Sequence, residues 1–434
     1  MANNYRQVPI VLEDAYGNVL GTQSPEARDI YDVGVKKFLG AEPGGVKCFE
    51  SAIEADEGFA LAHIGLAREM QLRARPDLVK ASLARARELA PGLSARERSH
   101  IHASGLLLEG KSAEARKAVY EHVEEWSRDV LVAQMCTSVF GLIGFSGLPG
   151  REAEQLAYTS RLAPHYEDDW WCRAQLAFAQ LEVGQLDAAE VNIEAALEAN
   201  PHSAHSAHIR AHLFYENLED EDGLHYLADW WKRYDPEGIL YNHVSWHVGL
   251  WSLETGDLDR MWQVLDVDIS PEHSHGPPLN VLTDTAALLF RAELAGVEVP
   301  IDRWKNLSAY ALARFPKSGL CFADVHAAIA HARSGDQKSL SALVDGARGP
   351  AADLTRTLST AYREMEDGHN SRAAELFAES MRDHARMGGS NAQRDLIDLS
   401  LAACLVRDGR QQEARTVLSV TRPRALTKEL VIGL

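Results

Sequence analysis

The run LAFAQLEVGQLDAAEVNIEAALEANPHSAHSAHIRAHL, Leu176 to Leu213, decides the fold. Ala, Leu and Glu recur at helical spacing before Gly184 and again after it, with no strand-like alternation. Gly184 marks an inter-helix turn. Asn200-Pro201 stops the second helix, because a residue preceding proline is pushed out of the α region. The stretch reads as helix, turn, helix, turn and the start of a third helix.

The same punctuation recurs outward from this unit. EGKSAEA at Gly110, TGDLDRM at Gly256, SGDQKSL at Gly335, DGHNSRAA at Gly368 and DGRQQEA at Gly409 each set a Gly beside polar residues and an apolar residue a few positions on. Subtracting residue numbers, Gly110, Gly184 and Gly256 lie 74 and 72 residues apart, twice a period in the mid-thirties. That period belongs to arrays of helical hairpins. An earlier unit, Gly44 to Met70, places Ala52, Ala55, Ala60, Ala62 and Ala67 around Phe59, small residues that let helices pack closely. The expected fold is all-α, a right-handed α-solenoid of degenerate tetratricopeptide-like helical hairpins. Residues 1–23 carry no helix pattern and are expected to form an N-terminal arm. Residues 24–434 read as one superhelical domain, curled so that its ends approach. FSGLPG (Phe145 to Gly150) and PEHSHGPP (Pro271 to Pro278) interrupt the repeat as a turn and a loop.

Composition narrows the function classes. The formal charge of −19 disfavours nucleic acid and anionic membrane as partners. The N-terminus lacks a basic start followed by an apolar run, and no apolar stretch is long enough to span a bilayer. Five dispersed cysteines, Cys48, Cys136, Cys172, Cys321 and Cys404, are odd in number and fit reduced thiols. A cytoplasmic location is expected. None of the cysteines has a His neighbour in register, so no thiol nucleophile is indicated.

The chemistry-bearing residues begin with two His-x-x-x-His motifs, His208/His212 and His243/His247. Spacing of i and i+4 puts each pair on one helix face. Four imidazoles from two packed helices offer up to four nitrogens to a divalent metal. Ile209 and Val244 stand where a zinc protease motif needs Glu, so proteolysis is disfavoured. Asp324-x-His326 adds a carboxylate that either caps a helix or orients a histidine from another helix. Asp284 offers a similar acid. Ser390, Asn391 and Arg394 in GGSNAQRD form either a capping turn, with Arg394 paired to an acid across the repeat, or an anion clamp. His63, His100 and His102 read as packing residues, whereas His202, His205, His273 and His275 read as solvated.

On HSAHIRAHLFYEN, YNHVSWHVGLWSLETGD, TDTAALLFRAELAGV, FADVHAAIA and MGGSNAQRDLI, in that order, the chain resembles the tetratricopeptide repeat protein 38 family. The resemblance runs from about Ala15 to the C-terminus and implies the helical array more than any activity. It keeps His208, His212, His243, Trp246 and His247. It has Phe214-Tyr215-Glu216 where the family commonly has Glu-Met, and Val244-Ser245 within the second pair.

Two readings of function follow. One is a ligand-binding superhelix taking a small molecule or peptide in a concave groove. Its binding candidates are His208, His212, His243, Trp246, His247, Asp324, His326, Asn391 and Arg394. Among these, His212, His243, His247, Asp324 and His326 are candidates for chemistry, and the four motif histidines for a metal. The other is a non-catalytic scaffold for a partner protein. A third role for the histidines, a hydrogen-bonded packing network, stands beside both.

Overall fold

A computed structural model describes residues 11–434. The first ten residues of the expected arm lie outside it. Residues 12–20 form a short hairpin, Leu12–Glu13 against Val19–Leu20, and the rest is helical. The hairpin packs on the first helices: Gly21 N–H donates to Glu97, the Thr22 hydroxyl donates to Asp56, and Arg96 reaches the Val19 carbonyl.

Twenty-two α-helices follow. Val130–Ala133 and Arg151–Tyr166 flank the irregular stretch at 134–150, and the other twenty pair in chain order as ten antiparallel hairpins. The glycine punctuation sets these turns. Gly110, Gly184, Gly256, Gly335, Gly368 and Gly409 all take left-handed φ between 74° and 81°. An added Cβ at any of them would meet nothing within 4 Å, so the backbone conformation is what demands glycine there. FSGLPG is non-helical, PEHSHGPP is non-helical up to Pro277 with Pro278 opening the next helix, and GGSNAQRD holds a capping turn. The Ser390 hydroxyl accepts from Gln393 N–H, and the Gln393 side chain answers the Ser390 N–H.

Packing within the hairpins rests on small residues beside large ones. Ala52, Ala60, Ala62 and Ala67 are buried, and a Cβ on Gly65 would come 2.3 Å from the Phe49 ring. The helix Tyr241–Glu254 is buried on every side from Asn242 to Leu253, the mark of a helix covered all round.

The array curls until distant hairpins touch. Tyr234 donates its hydroxyl to the Ala41 carbonyl at 2.6 Å, and Asn200 donates to Glu42 at 2.9 Å. Further along, Arg151 donates to the Gly389 carbonyl at 2.6 Å and Arg386 to the Gly147 carbonyl at 3.0 Å. Arg394 pairs with Glu152, 242 residues away, and lies 3.5 Å from Glu182. The C-terminal segment closes the other side. Arg424 pairs with Asp220 at 3.0 Å and Glu254 at 2.6 Å, with its guanidinium 3.4 Å from the centroid of the Tyr215 ring. Arg422 pairs with Glu216 at 2.8 Å and Asp395 at 2.6 Å. Among the described residues, no helix is long and apolar enough to cross a membrane.

Removing one member of a buried pair leaves an uncompensated charge, at a cost of about 3–5 kcal/mol. Arg394→Met is therefore expected to lower the urea midpoint sharply. Arg372→Ala, which removes an exposed pair with Glu375, should leave the midpoint unchanged. Equal effects of the two substitutions would show that ring closure contributes little.

Candidate functional site

The two His-x-x-x-His motifs sit on the first helices of successive hairpins, Ala204–Asn217 and Tyr241–Glu254. Ser203 starts the former by accepting from Ser206 N–H, and Leu218, in a left-handed conformation, ends it. The latter is started by the Tyr234 hydroxyl, which accepts the Leu240 N–H at 3.3 Å while donating to Ala41. Both helices hold their imidazoles inward, and ring closure fixes the second helix's entry.

The four rings converge. His208 Nε2 lies 2.9 Å from His212 Nε2 and 3.1 Å from His247 Nε2. One ring nitrogen from each of His208, His212, His243 and His247 falls within 4.8 Å of the others, and all four residues are buried. His243 Nδ1 is 3.0 Å from Asp284 Oδ2, which also accepts from Asn242 Nδ2 at 2.9 Å. Trp246 stacks on His243 with centroids 5.3 Å apart, and Phe178 lies against His212 at 5.3 Å. Burial pushes the His212 imidazole down to about 3, helped by His243. Burial, then neighbouring imidazoles, hold His208 and His247 well below the ordinary value. These three rings are neutral at pH 7. His212 Nδ1 and Trp246 Nε1 are buried without hydrogen-bond partners.

A cavity of about 1530 Å³ lies in the bore of the superhelix. Phe140 and His205 are on its wall. Phe140 also packs on His243 at 6.1 Å, so the wall separates cavity and imidazoles by one side-chain layer. The expectation that His205 is solvated fails, since it is half-buried on this wall. Burial and His243 push its pKa down to about 4. His202, His273 and His275 are exposed, as expected.

The other candidates are dispersed. Trp246 is fully buried behind the imidazoles and does not reach the cavity. His326 is buried, with Nδ1 2.7 Å from the Phe322 carbonyl, and it stands outside the four-ring cluster. Burial lowers its pKa to about 4. Asp324 is the fourth residue of its helix rather than the cap. Its carboxylate accepts from the Ser318 hydroxyl at 2.7 Å and from Gly319 N–H at 2.9 Å, bracing a loop at the cavity. The acid that reaches a motif histidine from another helix is Asp284. Asn391 and Arg394 belong to the ring closure. Asn391 N–H donates to the Glu182 carboxylate at 3.0 Å, and Arg394 donates to the Gly389 carbonyl at 2.5 Å as well as to Glu152. Their known partners are all internal, which matches the capping and cross-repeat pairing and not the anion clamp.

A second cluster forms around His100, which the sequence offered as a packing residue. His100 Nδ1 lies 2.9 Å from Asp129, His122 Nε2 3.2 Å, and Arg96 donates to the same carboxylate at 2.5 Å. His102, two positions on and therefore on the far side of the helix, is exposed rather than packed. The spacing Arg96-x-x-x-His100 was the available signal.

The chain matches no family model. Among solved structures it is similar to yeast Tom70, over 92% of both chains at 15% identity and a TM-score of 0.38. It is also similar to Naa15/Naa10 bound to HypK-THB, over 92% of this chain and 64% of that one, at 12% identity and a TM-score of 0.24. A third similarity is to the TPR domain of P58(IPK), over 91% and 99% of the two chains, at 12% identity and a TM-score of 0.20. At these scores none of the three bears on function.

Burial alone would raise the Asp129 carboxyl, but His100, His122 and Arg96 together hold it well below 3.8. A carboxyl depressed in the folded state adds stability that is complete above its unfolded value and is lost as pH falls towards its folded one. Asp129→Asn should therefore cost about 3–5 kcal/mol at pH 7 in urea denaturation. The gap from wild type should narrow below about pH 4. A gap independent of pH would place the cost in packing alone.

Proposed function

We propose that the protein is a ligand-binding superhelix in which His208, His212, His243 and His247 hold one divalent transition-metal ion beneath the wall of the central cavity. The approach of three Nε2 atoms carries this reading. A neutral imidazole nitrogen bears either a proton or an in-plane lone pair, never both. His208 Nε2 thus cannot make good hydrogen bonds to both His212 and His247, whichever tautomers are chosen. A tetrahedral ion with bonds of about 2.0–2.1 Å sets its donors roughly 3.3 Å apart, close to the spacings of 2.9 and 3.1 Å. Neutral imidazoles are the required ligand form, and Asp284 behind His243 supplies the carboxylate that fixes ring orientation and strengthens ligation.

Four protein donors leave no open position, and closed sites of this kind organise structure more than they turn over substrate. Rings with pKa values as low as about 3 are poor proton acceptors near neutrality. On this reading the metal pins two hairpins together and shapes the cavity wall, and a small molecule or peptide binds on the other side of Phe140 and His205. Membership of the tetratricopeptide repeat protein 38 family is part of the same proposal. So is a reducing, cytoplasmic setting, which the five free cysteines support. A scaffold for a partner protein is the second reading, favoured by exposed Arg75, Lys80 and Arg314 along the cavity.

Metal analysis after reconstitution with zinc and exhaustive dialysis is expected to find one ion per chain. His212→Ala and His247→Ala should abolish retention while far-UV circular dichroism keeps its helical signal. Asp284→Asn should weaken binding by roughly 10–100-fold. A wild type that retains no metal, with variants that lose their fold, would instead assign the histidines to a packing network.

A further inference from the structure

Arg68, on the helix Ala60–Leu72, lines the central cavity and is only 7% exposed. Its Nη2 donates to Gln134 Oε1 at 3.0 Å, and its guanidinium sits 5.6 Å from the centroid of the Phe38 ring. Nε and Nη1 are buried without partners, and Arg68 forms no ion pair among the described residues. Burial pushes its pKa down to about 10, with no neighbouring charge in compensation. A buried, unpaired guanidinium is costly, and the arginines of the ring closure show the usual remedy of one or two carboxylates each. Arg68 has none.

Its surroundings point the same way. The chain has 63 acidic and 44 basic residues, yet the cavity lining holds six cations and one acid, Glu109. The remaining lining is largely apolar, with Leu39, Leu72, Leu83, Leu108, Leu142 and Phe140 among it. At about 1530 Å³ it exceeds the roughly 300–1,000 Å³ common for small-molecule sites. Two more buried lining side chains carry unpartnered atoms, Gln175 Oε1 and Asn280 Nδ2.

We infer that the cavity takes an amphipathic carboxylate, an extended apolar chain whose single anionic head pairs with Arg68. One carboxylate balances one guanidinium, its oxygens accept the free N–H groups, and the chain lies on the leucines. The inference rests on the cavity being a ligand site, as proposed above, and is independent of the metal.

The test is equilibrium binding of palmitate, with hexadecanol, hexadecyl phosphate and an acidic peptide of glutamates as comparison ligands, to the full chain. Wild type should bind palmitate most tightly. Arg68→Gln should weaken palmitate roughly 10-fold or more while changing hexadecanol less than about 2-fold, since only the acid loses an ion pair, whereas the glutamine amide can still donate to the alcohol. Arg68→Lys should restore part of the loss, and Lys80→Gln, at an exposed position, should change little. If Arg68→Gln does not fold, Gln134→Leu gives the second reading: with its Gln134 hydrogen bond gone, Arg68 should still select palmitate over hexadecanol. Palmitate and hexadecanol binding alike, with no effect of Arg68→Gln, would overturn the headgroup assignment and leave the cavity as a ligand site. Tighter binding of hexadecyl phosphate, or of the acidic peptide, would overturn the carboxylate class. Binding of none of the four would overturn the cavity reading itself.

Discussion

The structure depends on buried and half-buried arginines that tie hairpins together across long stretches of chain. An α-solenoid needs only contacts between neighbouring repeats, and left to those it would remain an open spiral. Here Arg151, Arg386 and Arg394 bind the 147–182 region to the 385–394 region, and Arg422 and Arg424 bind the C-terminal segment to residues 216–254. Arg151, Arg394 and Arg424 have given up water, so each needs its partner in place. Because the partners are far apart in sequence, satisfying them fixes the curl of the whole array.

The curl explains both interior features. It brings the first hairpins opposite residues 277–280 and 313–320, and the space between is the cavity. It also fixes the Tyr241–Glu254 helix through Tyr234 and Ala41, so that its histidines meet those of the preceding hairpin. The two interiors are chemically unlike. The imidazole cluster is sealed in the interior, whereas the cavity is wide, largely apolar and lined by more cations than acids. A sealed cluster suits ligation and a wide apolar bore suits an amphiphile, and Phe140 touches both.

Much of the architecture was legible because it is local. A glycine with positive φ two residues before a helix writes itself into the sequence at six of the ten hairpin turns, and i, i+4 spacing announces two histidines on one face. What failed to show was pairing between helices. Asp324 drew attention through its nearness to His326, yet residues two apart on a helix face different ways. The acid that meets the four-ring cluster is Asp284, 41 residues along the chain from His243. Arg394 was readable as a capping-turn residue but not as a partner of Glu152, and Arg68 carries no sequence signal at all. Its significance comes from the absence of an acid nearby, which only the fold reveals.

X-ray absorption spectroscopy on the zinc-reconstituted protein tests the metal reading most directly, because it reports donor type and number without depending on a variant's stability. Four nitrogen donors at about 2.0–2.1 Å, with the scattering pattern of imidazole, are the expected result. A mixed oxygen and nitrogen shell with two or fewer imidazoles would contradict it.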